Sequence, residues 1–244
     1  MIDKVSFIIP VHNEESVIGE CLTAIFEMDE NPYEVLVVDA NSADGTVEIA
    51  SNFDCRILQS PTKGRAAQLD FGSRHARGSI LVYLHADTCP HPETISLVTQ
   101  ALKNHEVVLG AFQSIMQGEK SRRLISFHNA IKTYYAPFFY NPYRSLFKGL
   151  RLLFGDQVMF CRKADYLRSG GFDLTEKVME EAAFCLRMNQ LGRIIQLNEK
   201  VFSSDRRVVE WGPLKAHFLY IAICAAWGLG VSSERLAKLY PDIR

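Results

Sequence analysis

The sequence predicts an α/β fold in which a mostly parallel sheet is flanked by helices. Short apolar runs alternate with stretches of helical period through the first half of the chain, the pattern of strand and helix units laid into one sheet. The runs are apolar at nearly every position, as strands covered on both faces are. Three of them end in polar clusters, Pro10-Val11-His12-Asn13-Glu14, Asp39-Ala40-Asn41-Ser42 and His85-Ala86-Asp87, at the edge where parallel sheets receive ligands. At 244 residues the chain has the length of one domain with a substantial core.

Val5-Ser6-Phe7-Ile8-Ile9 is the first strand, and Val17, Ile18, Cys21, Leu22, Ile25 and Phe26 then recur at helical spacing, giving a helix from about 14 to 27. Val35 to Val38 is the second strand, ending at Asp39 and opening into the turn-rich Asn41-Ser42-Ala43-Asp44-Gly45. Thr46 to Ser51 suits a short helix, Arg56 to Leu58 a third strand, and Arg65 to Arg77 a helix after the break at Pro61 and Gly64. Ile80 to Leu84 is the fourth strand, Pro92 to Leu102 a helix with proline in its first turn, and Val107 to Ile115 a further strand.

The middle changes character. Glu119 to Phe154 holds seven Lys or Arg residues against one acidic residue, with nine aromatics that include Tyr134, Tyr135, Phe138, Phe139, Tyr140 and Tyr143. Gln157 to Cys161 follows as a strand, Ser169-Gly170-Gly171-Phe172 as a turn, Glu180 to Leu191 as a helix and Arg193 to Leu197 as a last strand. The longest apolar run, Phe218 to Val231, falls short of the ~20 residues of a spanning helix, so a buried or interfacial C-terminal helix is expected. Without repeats, linkers or low-complexity tracts, residues 1–244 read as one domain with a helical, basic and aromatic insertion.

Acidic residues outnumber basic ones by 28 to 27, which excludes a nucleic-acid binder that works by overall charge. Six cysteines lie without a Cys-x-x-Cys pair, and Val5 to Val11 is too short for the apolar region of a secretory leader; reduced thiols in the cytoplasm are expected.

The polar strand ends carry the chemistry. Asp39 can accept from a base edge or a ribose hydroxyl, and Asp87 can ligate a hard divalent cation that shares phosphate oxygens. Gly64-Arg65 pairs a glycine that lets a ligand approach with a guanidinium that can hold phosphate. Together they suggest a nucleoside diphosphate pocket. Each element also has a plainer structural use: Asn13 as a helix cap ahead of Glu14 and Glu15, Asp39 and Asp44 as turn formers, Asp87 as the start of a loop, and Glu180 and Glu181 as carboxylates facing a helix dipole. His85-x-Asp87-x-Cys89-x-His91 has zinc-ligand residue types, but Pro90 and Pro92 break any regular strand there.

Taken jointly, Val5 to Glu15, Glu34 to Thr46, Lys63-Gly64-Arg65-Ala66-Ala67-Gln68, Leu84-His85-Ala86-Asp87-Thr88, Gly155-Asp156-Gln157, Gly170-Gly171-Phe172 and Met179-Glu180-Glu181 resemble the family 2 glycosyltransferases of the GT-A fold. The order and intervals match over nearly the whole chain, closest to a compact bacterial subgroup with Gly-Arg-Ala-x-Gln, His-Ala-Asp and Gly-Asp-Gln segments. The resemblance implies an inverting, non-processive transfer from a nucleotide sugar, with UDP favoured. It implies a nucleotide-sugar-binding half, 1–117, and an acceptor-side half, 118–244. In that scheme Asp39 recognises the nucleotide, Pro10, His12 and Glu14 line its pocket, and Gly64, Arg65, His85 and Ala86 flank the diphosphate. Asp87 holds Mn²⁺ or Mg²⁺, and Glu181, or Glu180 beside it, is the general base. Asp156, Gln157, Arg206 and Arg207 fall on the acceptor side.

The chain departs from the family pattern twice: histidine replaces the first aspartate of the metal motif, and glutamate replaces aspartate at the base. The Gln-x-x-Arg-Trp signature of processive synthases is absent. The basic, aromatic segment suits a lipid-linked phosphate acceptor and peripheral contact with the inner face of a membrane, or else forms ordinary covering helices. A sugar-1-phosphate nucleotidyltransferase and a non-catalytic nucleotide-sugar-binding protein are the competing functions; the first would carry a Gly-rich, basic first loop, where this chain has Pro10 to Glu14.

Overall fold

The computed structural model describes residues 4–117, 133–138, 140–204 and 212–239. An eight-stranded sheet runs through it: β1 (Val5–Val11), β2 (Glu34–Asp39), β3 (Arg56–Gln59), β4 (Ile80–Tyr83), β5 (Thr88–Cys89), β6 (Val107–Gln117), β7 (Met159–Arg162) and β8 (Arg193–Ser204), in the order β3-β2-β1-β4-β7-β6-β8-β5. Strands β3, β2, β1 and β4 are mutually parallel and β6 is parallel to β8. Strand β7 runs antiparallel between β4 and β6, and short β5 antiparallel to β8. The sheet is therefore mostly parallel, as the sequence predicts.

The helices are α1 (Ile18–Phe26), α2 (Thr46–Ala50), α3 (Arg65–His75), α4 (Thr94–Leu102), α5 (Pro142–Phe147), α6 (Lys163–Ser169), α7 (Glu180–Met188), α8 (Pro213–Gly228) and α9 (Ser233–Ala237). Residues 133–138 are also helical. Strand pleating sorts the core into two layers. Phe7, Ile9, Val35 and Val37 pack with Ile18, Leu22 and Ile25 of α1 and Val98 of α4 on one face. Ile8, Leu36 and Val38 pack with Leu69 of α3 and Phe184 and Cys185 of α7 on the other. A residue such as Phe7, fully buried here, contributes about 1.5–3 kcal/mol through burial.

Three expectations shift. Helix α1 starts at Ile18 and not near 14, because residues ahead of it are drawn into a loop contact described below. Strand β8 runs on to Ser204, past the polar Asn198-Glu199-Lys200 that looks like a strand end; β8 bulges there, with Gln196 and Lys200 facing Ala111 and Gln113. Gln157 belongs to a 3₁₀ turn, Gly155–Gln157, ahead of β7. Strand β5 and helix α6 are additions.

Candidate active site

The carboxyl ends of β1, β2 and β4 lie along one edge, and the first two loops there are tied to each other. Asn13 has φ 57° and does not cap a helix. Its Oδ1 accepts from Ala43 N at 2.8 Å, and its own N–H donates to Ser42 Oγ at 2.9 Å. Glu14 N donates to Thr46 Oγ1 (2.7 Å), Glu15 N to Asp44 Oδ2 (3.1 Å), and Gly45 N to Glu15 Oε2 (2.8 Å). Beneath them, buried Gln68 of α3 donates through Nε2 to the carbonyls of Val11 (2.8 Å) and Val38 (2.7 Å), fastening the ends of β1 and β2.

Asp39 is buried and oriented on several sides. Ser42 donates to it from N at 3.2 Å and from Oγ at 2.5 Å, and Gln59 Nε2 donates to Oδ2 at 3.1 Å. Pro10 near the end of β1 and His12 just past it are half-buried, and His12 Nδ1 is a buried ring nitrogen with no hydrogen-bond partner among the described residues. Gly64, at φ 126°, adopts a backbone that a side-chain-bearing residue rarely takes, and a Cβ there would meet open space.

Two acidic side chains enter from the other half. Glu180 and Glu181 open α7 behind Met179, which has φ 65°, and each is only 6 % exposed. Arg65 Nη1, at the start of α3, lies 3.9 Å from Glu180 Oε1, and His85 Nε2, just past β4, lies 3.8 Å from Glu181 Oε1. Burial alone raises the Glu181 pKa, but His85 and Arg65 outweigh it and hold the carboxyl below the usual glutamate range. Gly155 closes this centre: a Cβ on it would lie 2.0 Å from His85 Nε2 and 2.7 Å from Glu181 Oε1.

Ala86 is buried, and Asp87 follows it, its carbonyl accepting from Ser204 N of β8 at 3.1 Å. Cys21 Sγ lies 3.7 Å from the His85 carbonyl. Burial first, then the charge of Asp87, pushes that thiol far up, so it stays protonated and is no nucleophile. Among the described residues no group of three His, Cys, Asp or Glu side chains could hold a metal, and the zinc pattern of His85 to His91 is not assembled. One carboxylate, such as that of Asp87, does fit Mg²⁺ or Mn²⁺ bound jointly with phosphate oxygens of a ligand.

Asp156 sits in the Gly155–Gln157 turn. Gln157 is fully buried, with Nε2 donating to Thr133 Oγ1 and Oε1 accepting from Phe154 N, both at 3.0 Å, and it anchors the turn. Arg206 and Arg207 lie outside the described residues. Sequence reasoning assigned no role to Gln68 or Gln59. Gln59 ends β3 at the same edge, so the strand-end criterion that singled out Asp39 and Asp87 points to it as well.

The family model for glycosyl transferase family 2 matches residues 6–167. Glycosyltransferase AglE of Haloferax volcanii is 38% identical over 97 residues, covering 36% of this chain and 32% of that protein. The undecaprenyl-phosphate 4-deoxy-4-formamido-L-arabinose transferase of Sodalis glossinidius is 32% identical over 118 residues, 44% of this chain and 36% of that protein. These alignments span about a third of each relative's length. Among solved structures, glucosyl-3-phosphoglycerate synthase from Mycobacterium tuberculosis, in complex with Mg²⁺ and UDP, superposes with a TM-score of 0.68 at 17% identity, covering 94% of this chain and 80% of that one. The likeness shows a shared GT-A fold.

Proposed function

The chain belongs to glycosyl transferase family 2, and we propose that it moves one sugar from a nucleotide diphosphate sugar to an acceptor hydroxyl with inversion at the anomeric carbon. The observation that carries this reading is the pairing of Arg65 with Glu180 and of His85 with Glu181, the latter pair beside Gly155, near the sheet edge that also bears Asp39 and Asp87.

Asp39, held by Ser42 and Gln59, accepts hydrogen bonds from the nucleotide, and Pro10, His12 and Glu14 line that pocket. Gly64 leaves open space over the start of α3, where Arg65 meets the diphosphate. Asp87 would hold Mn²⁺ or Mg²⁺ together with diphosphate oxygens, and the chemistry such an ion supplies when bound is neutralisation of charge on the leaving nucleotide diphosphate. Glu181, ionised at neutral pH, takes the proton from the acceptor hydroxyl as that oxygen attacks the anomeric carbon from the face opposite the diphosphate. The C–O bond to the acceptor forms as the bond to the diphosphate breaks, so a single displacement inverts the centre.

The second half, 118–244, supplies the acceptor side. A cavity of about 390 Å³ lined by Tyr134, Tyr135, Phe138, Ser145, Leu146 and Arg151 pairs aromatic walls with one guanidinium. That composition supports a lipid-linked phosphate acceptor, as does the undecaprenyl phosphate in the name of the Sodalis relative. Such an acceptor implies work at the cytoplasmic face of a membrane. UDP is the favoured nucleotide, supported by its presence in the structural neighbour.

A panel of nucleotide sugars read by thermal shift with and without Mn²⁺ tests donor and metal together. Stabilisation by a UDP-sugar that grows with Mn²⁺ is expected. Asp87→Ala and Glu181→Gln are each expected to lower transfer by at least about 100-fold while the fold persists. Full activity in either variant refutes its assigned role, and pyrophosphate release from a nucleoside triphosphate identifies a nucleotidyltransferase instead.

A further inference from the structure

The transferase reading leaves the histidine of His85-Ala86-Asp87 without a defined task. Its position suggests diphosphate or metal, yet its Nε2 is enclosed on the side of Gly155 and Glu181. Nε2 is buried without a hydrogen-bond partner among the described residues. On one side it is pressed onto Gly155, so closely that a Cβ there would fall 2.0 Å from it. On another it faces Glu181 Oε1 at 3.8 Å, an ion-pair distance that a small rotation shortens to a hydrogen bond. Enclosed between a backbone and a carboxylate, Nε2 has no open side for a metal ion.

From this geometry, and resting on the transferase reading above, we infer that His85 is a positioning residue for the Glu181 base. Its Nε2–H directs the Glu181 carboxylate toward the acceptor oxygen, and Asp87 alone in the motif serves the diphosphate. The arrangement also joins the two halves of the chain. His85 comes from the loop after β4 and Glu181 from the first turn of α7, with Arg65 and Glu180 forming a parallel contact at 3.9 Å. A carboxylate at position 85 would put two buried like charges side by side; a histidine instead draws Glu181 into one orientation. Gly155 is what allows the two side chains to approach beneath the turn.

The test separates service to the base from service to the donor. Binding of UDP with Mn²⁺ is measured by calorimetry, and UDP release from UDP-sugars in the presence of a polyprenyl phosphate gives kcat, for the full chain and for His85→Ala, His85→Gln, Glu181→Gln and His85→Ala/Glu181→Gln. Circular dichroism first establishes that each variant is folded. The inference expects UDP–Mn²⁺ affinity within threefold of wild type in His85→Ala, with kcat down by at least tenfold. It expects the double variant to be no slower than Glu181→Gln alone, and His85→Gln, which keeps an N–H donor near the Nε2 position, to recover most of kcat. A tenfold or greater loss of UDP–Mn²⁺ affinity in His85→Ala, or losses that multiply in the double variant, overturns it. A wild-type protein that neither binds UDP with Mn²⁺ nor releases it from any donor overturns the transferase reading instead, a failure seen before any variant is made.

Discussion

Gly155 is the residue on which the centre of the site turns. Any side chain there would overlap His85 Nε2, itself a buried atom, and crowd Glu181 Oε1 on a buried side chain. Gly155→Ala is expected to cost about 1–3 kcal/mol, the range of overpacking in a close-packed interior. It should also abolish transfer by prising His85 from Glu181; a thermal melt and a transfer assay on the same preparation check both. The electrostatics of that pair set an acid limit. Because His85 and Arg65 more than offset burial, the folded-state pKa of Glu181 lies below the ordinary value of 4.5. The ionised form is therefore kept down through that value and lost only as pH falls through the lower, folded one. The acid limb of kcat/KM, which reports the free enzyme, is accordingly expected below 4.5; a limb near 6 would mean that a different group is the base. The places of Asp39 and Asp87 at strand ends and of Glu181 at a helix start were legible from the sequence, because apolar runs and helical periods mark those boundaries, while the proposed role of Glu181 as base came from the family resemblance alone. The nearness of His85 to Glu181 was not legible, since almost a hundred positions separate the two and only the packing of α7 on the sheet brings them together.

At the level of elements, the strands that carry the site are tied by buried side-chain to backbone and side-chain to side-chain contacts. Gln68 reaches from α3 to the last carbonyls of β1 and β2, so Gln68→Ala leaves buried acceptors without their donor. A loss of about 1–3 kcal/mol is expected, with weaker UDP binding as the two loops separate, and urea unfolding combined with calorimetry measures the two effects. At the opposite end of the strands, Glu34 accepts from Ser6 Oγ at 2.7 Å and from Arg56 Nη1 at 2.6 Å, and also from Arg77 N, tying β1, β2, β3 and the turn before β4. Burial raises its pKa, but these three donors prevail and lower it. Its contribution is thus present above the ordinary glutamate value of 4.5 and lost as pH falls through the lower, folded value. Glu34→Gln is expected to destabilise at pH 7 by about 1–2 kcal/mol and to converge with wild type in strong acid. Continuous apolar runs made β1, β2 and β4 legible in the sequence. The extent of β8 and the start of α1 were hidden, because a bulge absorbs Asn198-Glu199-Lys200 and the loop contact of Asn13 with Ala43 overrides the helical period after Glu14.

Over the whole molecule, a net charge of −1 conceals two unlike regions: acidic strand ends at the donor edge and a basic, aromatic second half. The apolar side chains left on the surface gather in that second half. Tyr143, Leu146 and Phe147 of α5 are 62%, 66% and 74% exposed, and Phe218 of α8 and Leu229 just beyond it are 68% and 87% exposed. Tyr140 fastens the two segments, its hydroxyl donating to the Cys224 carbonyl and its ring meeting Trp227 at 5.6 Å. No helix among the described residues is long and apolar enough to cross a membrane. Exposed aromatic and aliphatic side chains interleaved with Lys148 and Arg151 instead match the chemistry of an anionic lipid surface, where rings settle at headgroup depth and cations meet phosphate. The same surface would bring a polyprenyl-phosphate acceptor to the aromatic cavity beside Arg151. The protein is therefore expected to pellet with vesicles containing anionic lipid at low salt and to be released in part as ionic strength rises, since screening weakens the charge contribution but not the apolar one. Replacing Leu146 and Phe147 with serine should reduce the pelleted fraction at least about fivefold by removing most of the apolar area on α5, while UDP binding at the distant strand ends stays as in wild type. A wholly soluble protein at low salt, or pelleting that the double substitution leaves unchanged, would remove the membrane from the acceptor side.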